Sequence, residues 1–487
     1  MARLKRQMGR MENMERLFGL GAFKSRLGRW AEMVLILAGI VILGVMVGLA
    51  SSIGSLHMRM LEFTLLLLSM LMALYLCLNR PHMLISYTLL LWVISPEIRR
   101  LLDWSFQSYT DLSIIILIPY CVSLVMIMPV AKHIKRLDPK ISLVLKILCA
   151  ALAYGFCLGF LKYGFSSVYD LLNYTVPFLV MIYVIVTPFS SEVRDRWLKW
   201  FSFLAVIVGA YGIYQYLALP PWDEFWMISS EMNSIGQPEP QKFRLFSLLN
   251  SPGPAGVFLA AALALMTVQR KWRAFGMVGI LIVAFALLLT LVRVGWIAYV
   301  IMIAAYFLRS QLKSKLQLLL LGALIVMAYQ LLLPLLPGAG EVSSRIETFG
   351  SLDEDHSFNE RLVFSTHIMS MVMGNPVGMG LGSSGLGAKL AQSDNVVKVF
   401  DNGYLNLFYT FGLPFGLALI SVVIFLFIHG FKASKSEKKF SPISFAGSSA
   451  LLFLLLGSNV LLGFSGFILL WITALGFIPK PEIQDGG

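Results

Sequence analysis

The sequence predicts an all-α polytopic membrane protein with about 14 transmembrane helices. Three observations carry that expectation. Hydrophobic residues make up 58% of the 487, and at about 20 apolar residues per span they could supply on the order of fourteen spans. Charged residues make up only 13%, about half the usual share in a soluble domain, and the mean hydropathy is +0.78. The apolar residues also cluster into runs of span length. This combination excludes a soluble enzyme, a disordered chain, a collagen and a nucleic-acid-binding domain.

In chain order, residues 1–30 are a basic segment with Leu4, Met8, Met11, Leu17 and Phe18 at amphipathic positions. They are expected to rest on an anionic inner leaflet, with no cleavable signal peptide. Residues 31–218 hold apolar runs at 33–53, 60–78, 82–96, 112–130, 142–160, 167–188 and 198–218. A loop over 219–250 follows. Residues 251–334 carry runs at 251–268, 274–292, 294–308 and 316–334. A long segment over 335–402 comes next, then runs at 404–428, 444–460 and 462–478 within 403–478, and a tail at 479–487. The four cysteines, Cys77, Cys121, Cys149 and Cys157, all lie inside apolar runs and form no CxxC pair, so no disulfide framework is expected.

Basic clusters set the orientation. Lys132, Lys135, Arg136 and Lys140 follow the fourth run, and Arg194, Arg196 and Lys199 the sixth. Arg270, Lys271 and Arg273 follow the eighth, Arg309, Lys313 and Lys315 the tenth, and Lys432, Lys435, Lys438 and Lys439 the twelfth. An even number of runs separates every pair of clusters, so all share one side, the cytoplasmic one by the positive-inside rule. That bias also accounts for the net charge of +13 without a nucleic-acid partner. The two large loops, 219–250 and 335–402, then face outward, toward the periplasm in a two-membrane bacterium. Connections that long usually carry function.

The first loop holds Trp222, Phe225 and Trp226, which suit an interfacial aromatic belt or stacking against sugar rings. Arg244 precedes Asn250, Pro252, Gly253 and Pro254, which break the chain as it re-enters the membrane. Arg293 lies in ALLLTLVRVGW, between two runs with almost no linker. A cation there calls for a partner or a ligand. In the second loop, Arg345 stands in a polar stretch before an acidic patch at Asp353, Glu354 and Asp355. FNERLVFSTHIMSMVMGNP reads as an amphipathic helix with Leu362, Phe364, Ile368, Met369 and Val372 on its apolar positions and His367 as a packing residue. Arg361 falls in its first turn, against the helix dipole. GNPVGMGLGSSGLG contains a GxGxxG at Gly380, Gly382 and Gly385. No strand precedes it, so a dinucleotide site is rejected, and a glycine hinge or an anion-facing row of N–H groups is expected. Asp401 and Asn402 then open the twelfth run. Asp401 is either a helix cap or a general base at the membrane edge. No His, Asp and Glu group has metal-site spacing, and no cofactor is expected.

Four pieces in order, FRLFSLLNSPGPAG, LTLVRVGW, NERLVFSTHIMSMVMGNPVGMGLG and DNGYLNLFYTFGLPFG, resemble the O-antigen ligase and O-antigen polymerase (Wzy-type) superfamily of bacterial inner-membrane glycosyltransferases. The resemblance covers about residues 240–430. It implies a GT-C-like fold and an undecaprenyl-pyrophosphate oligosaccharide as substrate. A flippase and a chain-length regulator are the partners it suggests. It assigns Arg293 and Arg361 to the pyrophosphate and Arg244 to holding one substrate. Arg345, Asn402, Tyr404 and Trp222 are further expected substrate contacts. Two positions depart from the family pattern. Val292 stands where serine is usual. Asp401–Asn402 stands where ligases carry His-Asn, which points to a polymerase of repeat units with Asp401 as the base. Transfer of a finished glycan to lipid A core is the nearest alternative. Secondary transport is the alternative from another class.

Overall fold

A computed structural model describes residues 54–110, 113–231, 234–310, 315, 338–347, 356–385, 402–433 and 439–477. At 54–57, 136, 345, 347, 356–362 and 433 the description is of the backbone alone. Among the described residues the secondary structure is helical, apart from isolated bridge positions that include Gly236 and Phe243, paired with each other, and Ser384.

The helices are α1 (Gly54–Asn79), α2 (Pro81–Ser105), α3 (Ile118–Leu124), α4 (Ile127–His133), α5 (Pro139–Tyr163), α6 (Ser166–Val186), α7 (Ser191–Ala218) and α8 (Pro221–Ser229). They continue as α9 (Pro252–Val268), α10 (Gly276–Leu289), α11 (Arg293–Arg309), α12 (Ala339–Glu347), α13 (His356–Gly374), α14 (Gly403–Ala433), α15 (Ser441–Leu454) and α16 (Gly463–Ala474). Local chemistry sets many of these starts. Proline occupies the first turn of α2, α5, α8, α9 and α15, where its missing N–H costs nothing. Asp138 caps α5 through Lys140 N at 3.0 Å, and Ser190 caps α7 through Val193 N.

Six helical stretches among the described residues are long and apolar enough to cross a membrane: Met58–Asn79, Ile114–His133, Pro139–Tyr163, Ser166–Val186, Ser191–Ala218 and Gly403–Lys432. Shorter apolar helices pack among them. The expected runs at 33–53 and 316–334 lie outside the described residues. The helix α9 is buried on nearly every side and α16 on all sides, which places both at the centre. Around them α16 lies against α6, and α11 lies between α9 and α15. The apolar faces of α1 and α10 stay exposed, with Leu67, Leu71, Leu78, Val278 and Leu281 on the surface, as a lipid-facing helix requires.

Three departures from the sequence reading locate the site. First, α2 runs on to Ser105 instead of ending near 96. Its charges pair along the helix: Arg100 with Glu97, and Arg99 with Asp103 at 3.3 Å. Second, the last two helices are shorter than the runs 444–460 and 462–478. The helices α15 and α16 have 14 and 12 residues, about 21 and 18 Å at 1.5 Å per residue. That is less than the ~30 Å hydrocarbon thickness. The break between them, 455–462, therefore sits within the bundle.

The third departure is the glycine segment, which is neither a hinge nor an anion cradle. It is a strap threaded between α5, α6 and α14. Its N–H groups are already spent on the protein: Met379 on Tyr409 O, Gly380 on Thr410 O, Leu381 on Gly155 O, and Gly382 on Asp170 Oδ2, all at 2.8–2.9 Å. The acceptors are available because α14 kinks. Pro414 has no N–H for Thr410 O, and Leu413 N turns away to Pro376 O. Non-helical backbone inside a membrane bundle must be satisfied in this way. Gly378, Gly380 and Gly382 all adopt φ near +90°. A Cβ at Gly380 would lie 2.4 Å from Gly159 N. Gly380→Ala is therefore expected to cost about 1–3 kcal/mol in backbone strain alone, with the clash added. Thermal unfolding in detergent checks this against Gly374→Ala, where a Cβ meets nothing within 4 Å. Equal melting of the two variants would contradict the strap.

Candidate functional site

One end of the bundle gathers the termini of α2, α6, α7, α9, α11, α14 and α16. The other end carries Asp195 bridging Lys271 at 2.9 Å and Lys439 at 2.6 Å. There Arg194 donates to the carbonyls of Leu475 and Phe477.

The loop after α7 is fastened to the first end by a buried charge cluster. Arg100 is 1% exposed. Its guanidinium pairs with Glu97 and, at 2.7 Å, with Asp223. It also donates to Leu249 O at 2.8 Å and Ser247 O at 2.6 Å. The second Asp223 oxygen accepts from Gln215 Nε2 at 2.8 Å and Tyr211 Oη at 3.0 Å. Burial pushes the Asp223 carboxyl upward, and the nearby Arg100 works against that shift. A desolvated cation satisfied by two carboxylates and two carbonyls fixes geometry rather than taking part in turnover. Here it holds 247–249, and so sets where Arg244 can sit.

Beside that loop lies a cavity of about 620 Å³. Its polar lining includes Asp170, Asn173, Asn406, Asn459, Ser384 and Arg244. Trp92, Tyr120 and Phe464 supply aromatic wall, with Trp92 stacked on Phe464 at 5.4 Å. The polar groups are knitted together. Asn406 Oδ1 accepts from Asn459 Nδ2 at 2.5 Å and from Tyr174 Oη at 3.1 Å, and Asn406 Nδ2 donates to Ser384 Oγ at 3.0 Å. Tyr120 Oη donates to Asn173 Oδ1 at 2.5 Å. A second cavity of about 400 Å³ is lined by Lys242, Gln241, Leu291 and Glu341. Ser234 and Arg244 border both cavities.

The expected site residues divide among several places. Arg244 stands at the junction of the two cavities. Arg293 is the half-buried first residue of α11. Its neighbours Val292 and Val294 line the large cavity and Leu291 the smaller one, so the start of α11 and Arg244 meet at one rim. A cation at a helix N-terminus is disfavoured by the dipole, and local helix electrostatics do not explain it. Asn402 caps α14, its Oδ1 accepting from Tyr404 N at 3.0 Å and Leu405 N at 3.1 Å. The cap offered to Asp401 is thus made by Asn402. Tyr404 donates its hydroxyl to Leu452 O at 2.6 Å. Trp222 donates to Glu97 Oε1 at 2.7 Å and packs on Trp104, within the loop anchor and not in either cavity lining. Arg361 and Arg345 fall on α13 and α12, but their side chains lie outside the described residues, as does Asp401 entirely. On α13, Phe364, Ile368 and Val372 pack toward Leu405 and Tyr409 of α14. Met369 and His367, expected to pack, are exposed instead.

Sequence reasoning missed Asp170, Asn173, Asn406 and Asn459. All four sit inside apolar runs. A polar or ionisable residue within a membrane run is itself a functional signal, and SSVYDLLNYTV carries two of them.

The fold and the cavity define a multi-pass, helical membrane protein with a polar chamber at one end of its bundle. Residues 278–421 match a family described as O-antigen ligase (Wzy_C). That segment of the chain is similar to the O-antigen ligase family; the match does not extend to the helices before α10 or after α14. No curated protein matches the chain.

Proposed function

We propose that the protein joins undecaprenyl-pyrophosphate-linked oligosaccharide repeat units into a polysaccharide, an O-antigen, capsule or exopolysaccharide, at the periplasmic side of the bacterial inner membrane. The observation that carries this reading is the polar cavity with Arg244 and the start of α11 on its rim, at the end opposite Lys271, Lys439 and Arg194. The positive-inside rule puts those cations in the cytoplasm and the cavity outside, where a flipped lipid-linked glycan arrives.

In the reaction, an acceptor sugar hydroxyl attacks C1 of the sugar bound to pyrophosphate. The new C1–O bond forms as the C1–O(phosphate) bond breaks, and the electron pair leaves with the lipid diphosphate. A single displacement inverts the anomeric centre. Charge grows on the leaving group, and Arg293 and Arg361 stabilise it through paired N–H donors. This role lets the transfer run without a metal. Asp401 accepts the hydroxyl proton. Asp401→Ala is expected to lower the rate on the order of 10²–10⁴-fold, the usual worth of a general base. A variant with normal rate and chain length would remove Asp401 from the chemistry.

Purified protein incubated with extracted lipid-linked repeat units tests the reading. A ladder of lipid-linked lengths is the expected product. A single conjugate formed only when lipid A core is added would assign a ligase. Repeat units left at their original length in both cases would overturn the proposal.

A further inference from the structure

The floor of the large cavity has a chemistry that the diphosphate does not explain. The described polar groups lining it include Asn173, Asn406 and Asn459, Ser384, Tyr120, Tyr169 and Tyr174, and its one described carboxylate is Asp170. That carboxylate would repel a diphosphate, whereas Arg244 at the rim would attract one. Amides and hydroxyls that both donate and accept, set beside an aromatic face, suit a neutral, polyhydroxylated ring. Asp170 is 8% exposed and lines the cavity, with one oxygen taken by Gly382 N–H at 2.8 Å and the Asn173 side chain bonded to the same carboxylate. An ionised carboxylate accepts more than one hydrogen bond. Trp92, also a lining residue, is 7% exposed, and its indole N–H has no acceptor among the described residues. A buried donor left unmade is costly, and a ligand oxygen would satisfy it. The 455–462 break between α15 and α16 brings the half-buried Asn459 to the cavity lining.

We infer that this floor is a saccharide subsite for the acceptor, in which Asp170 takes a hydrogen bond from an acceptor hydroxyl and Trp92, in the aromatic wall, donates its indole N–H to the same sugar. The inference rests on the glycan-transfer reading and deepens it. Trp92, Tyr120, Asp170, Asn173 and Asn459 fall outside the matched segment 278–421, whereas Ser384 and Asn406 fall within it, so the floor is built from both parts of the chain.

Asp170 also holds the strap, so the test must separate the two roles. Asp170→Asn keeps an oxygen for Gly382 N–H and removes the charge, whereas Asp170→Ala removes both. The probe is the free repeat-unit oligosaccharide, released from its lipid by mild acid and titrated calorimetrically into the full-length protein in detergent. Asp170→Asn is expected to bind it about 10–100-fold more weakly than the wild type, as for a lost charged hydrogen bond, while melting at the wild-type temperature. Trp92→Phe is expected to weaken binding as well. Wild-type affinity in Asp170→Asn, with loss only in Asp170→Ala, would reduce Asp170 to a strap anchor and overturn the inference, as would no binding by the wild-type protein. Binding by a wild-type protein that forms no glycosidic bond would instead overturn the transfer reading and leave the saccharide site standing.

Discussion

Cells carrying Arg293→Ala as their only copy are expected to make no polymer, although the protein inserts and accumulates normally. Arg293 opens α11, where the helix dipole opposes its charge, and the residues on either side of it line the cavity. In the proposed reaction its guanidinium stabilises the diphosphate that departs during turnover. Losing one preorganised donor of developing negative charge typically costs about 10²–10³-fold in rate, and far less would erase a long polymer. Arg293→Lys is expected to fail too, because an ammonium cannot reproduce the planar pair of donors. The readout is the length distribution of glycan on gels, with membrane-fraction immunoblots as control. Full-length polymer from Arg293→Ala would take the residue out of the mechanism.

Arg100→Ala is expected to produce the largest loss of stability. It strands Glu97 and Asp223 in a buried setting and releases the carbonyls of Ser247 and Leu249. Breaking a buried pair from one side costs about 3–5 kcal/mol. The damage should appear first as opening of 219–250, since α8 and the segment around Ser247 are held through the same cluster. Limited proteolysis of the purified variant should cut within 219–250 under conditions that leave the wild type intact. An unchanged cleavage pattern and melting temperature would show that the loop is held by other means.

Most of the helical layout was legible in the sequence because long apolar runs admit few other structures. The runs at 142–160, 167–188 and 198–218 became α5, α6 and α7 with modest shifts at their ends. Legibility failed where polarity and periodicity gave conflicting signals. EIRRLLDW falls beyond the apolar run 82–96 because of its charges, yet it continues α2 because those charges neutralise one another at helical spacing. The glycine segment reads as a hinge or an anion-facing row of N–H groups. Only the kink at Pro414 shows that two helix carbonyls need its N–H groups, and that glycine is required there so that backbones can touch. Arg244 and Arg293 were found because a cation near a membrane edge stands out. Asp170, Asn406 and Asn459 were passed over because each is one polar letter in an apolar stretch. Their meeting depends on the packing of α6, α14 and the 455–462 break, which no local pattern reveals.

The central claim is that the chain makes glycosidic bonds by displacing a lipid diphosphate. The most direct measurement is the stoichiometry between the two products of purified protein acting on lipid-linked repeat units. The account predicts one undecaprenyl pyrophosphate released for each new glycosidic bond, with both events lost together in Arg293→Ala. Glycan carried across a vesicle membrane with its diphosphate linkage intact and no lipid diphosphate released would contradict it.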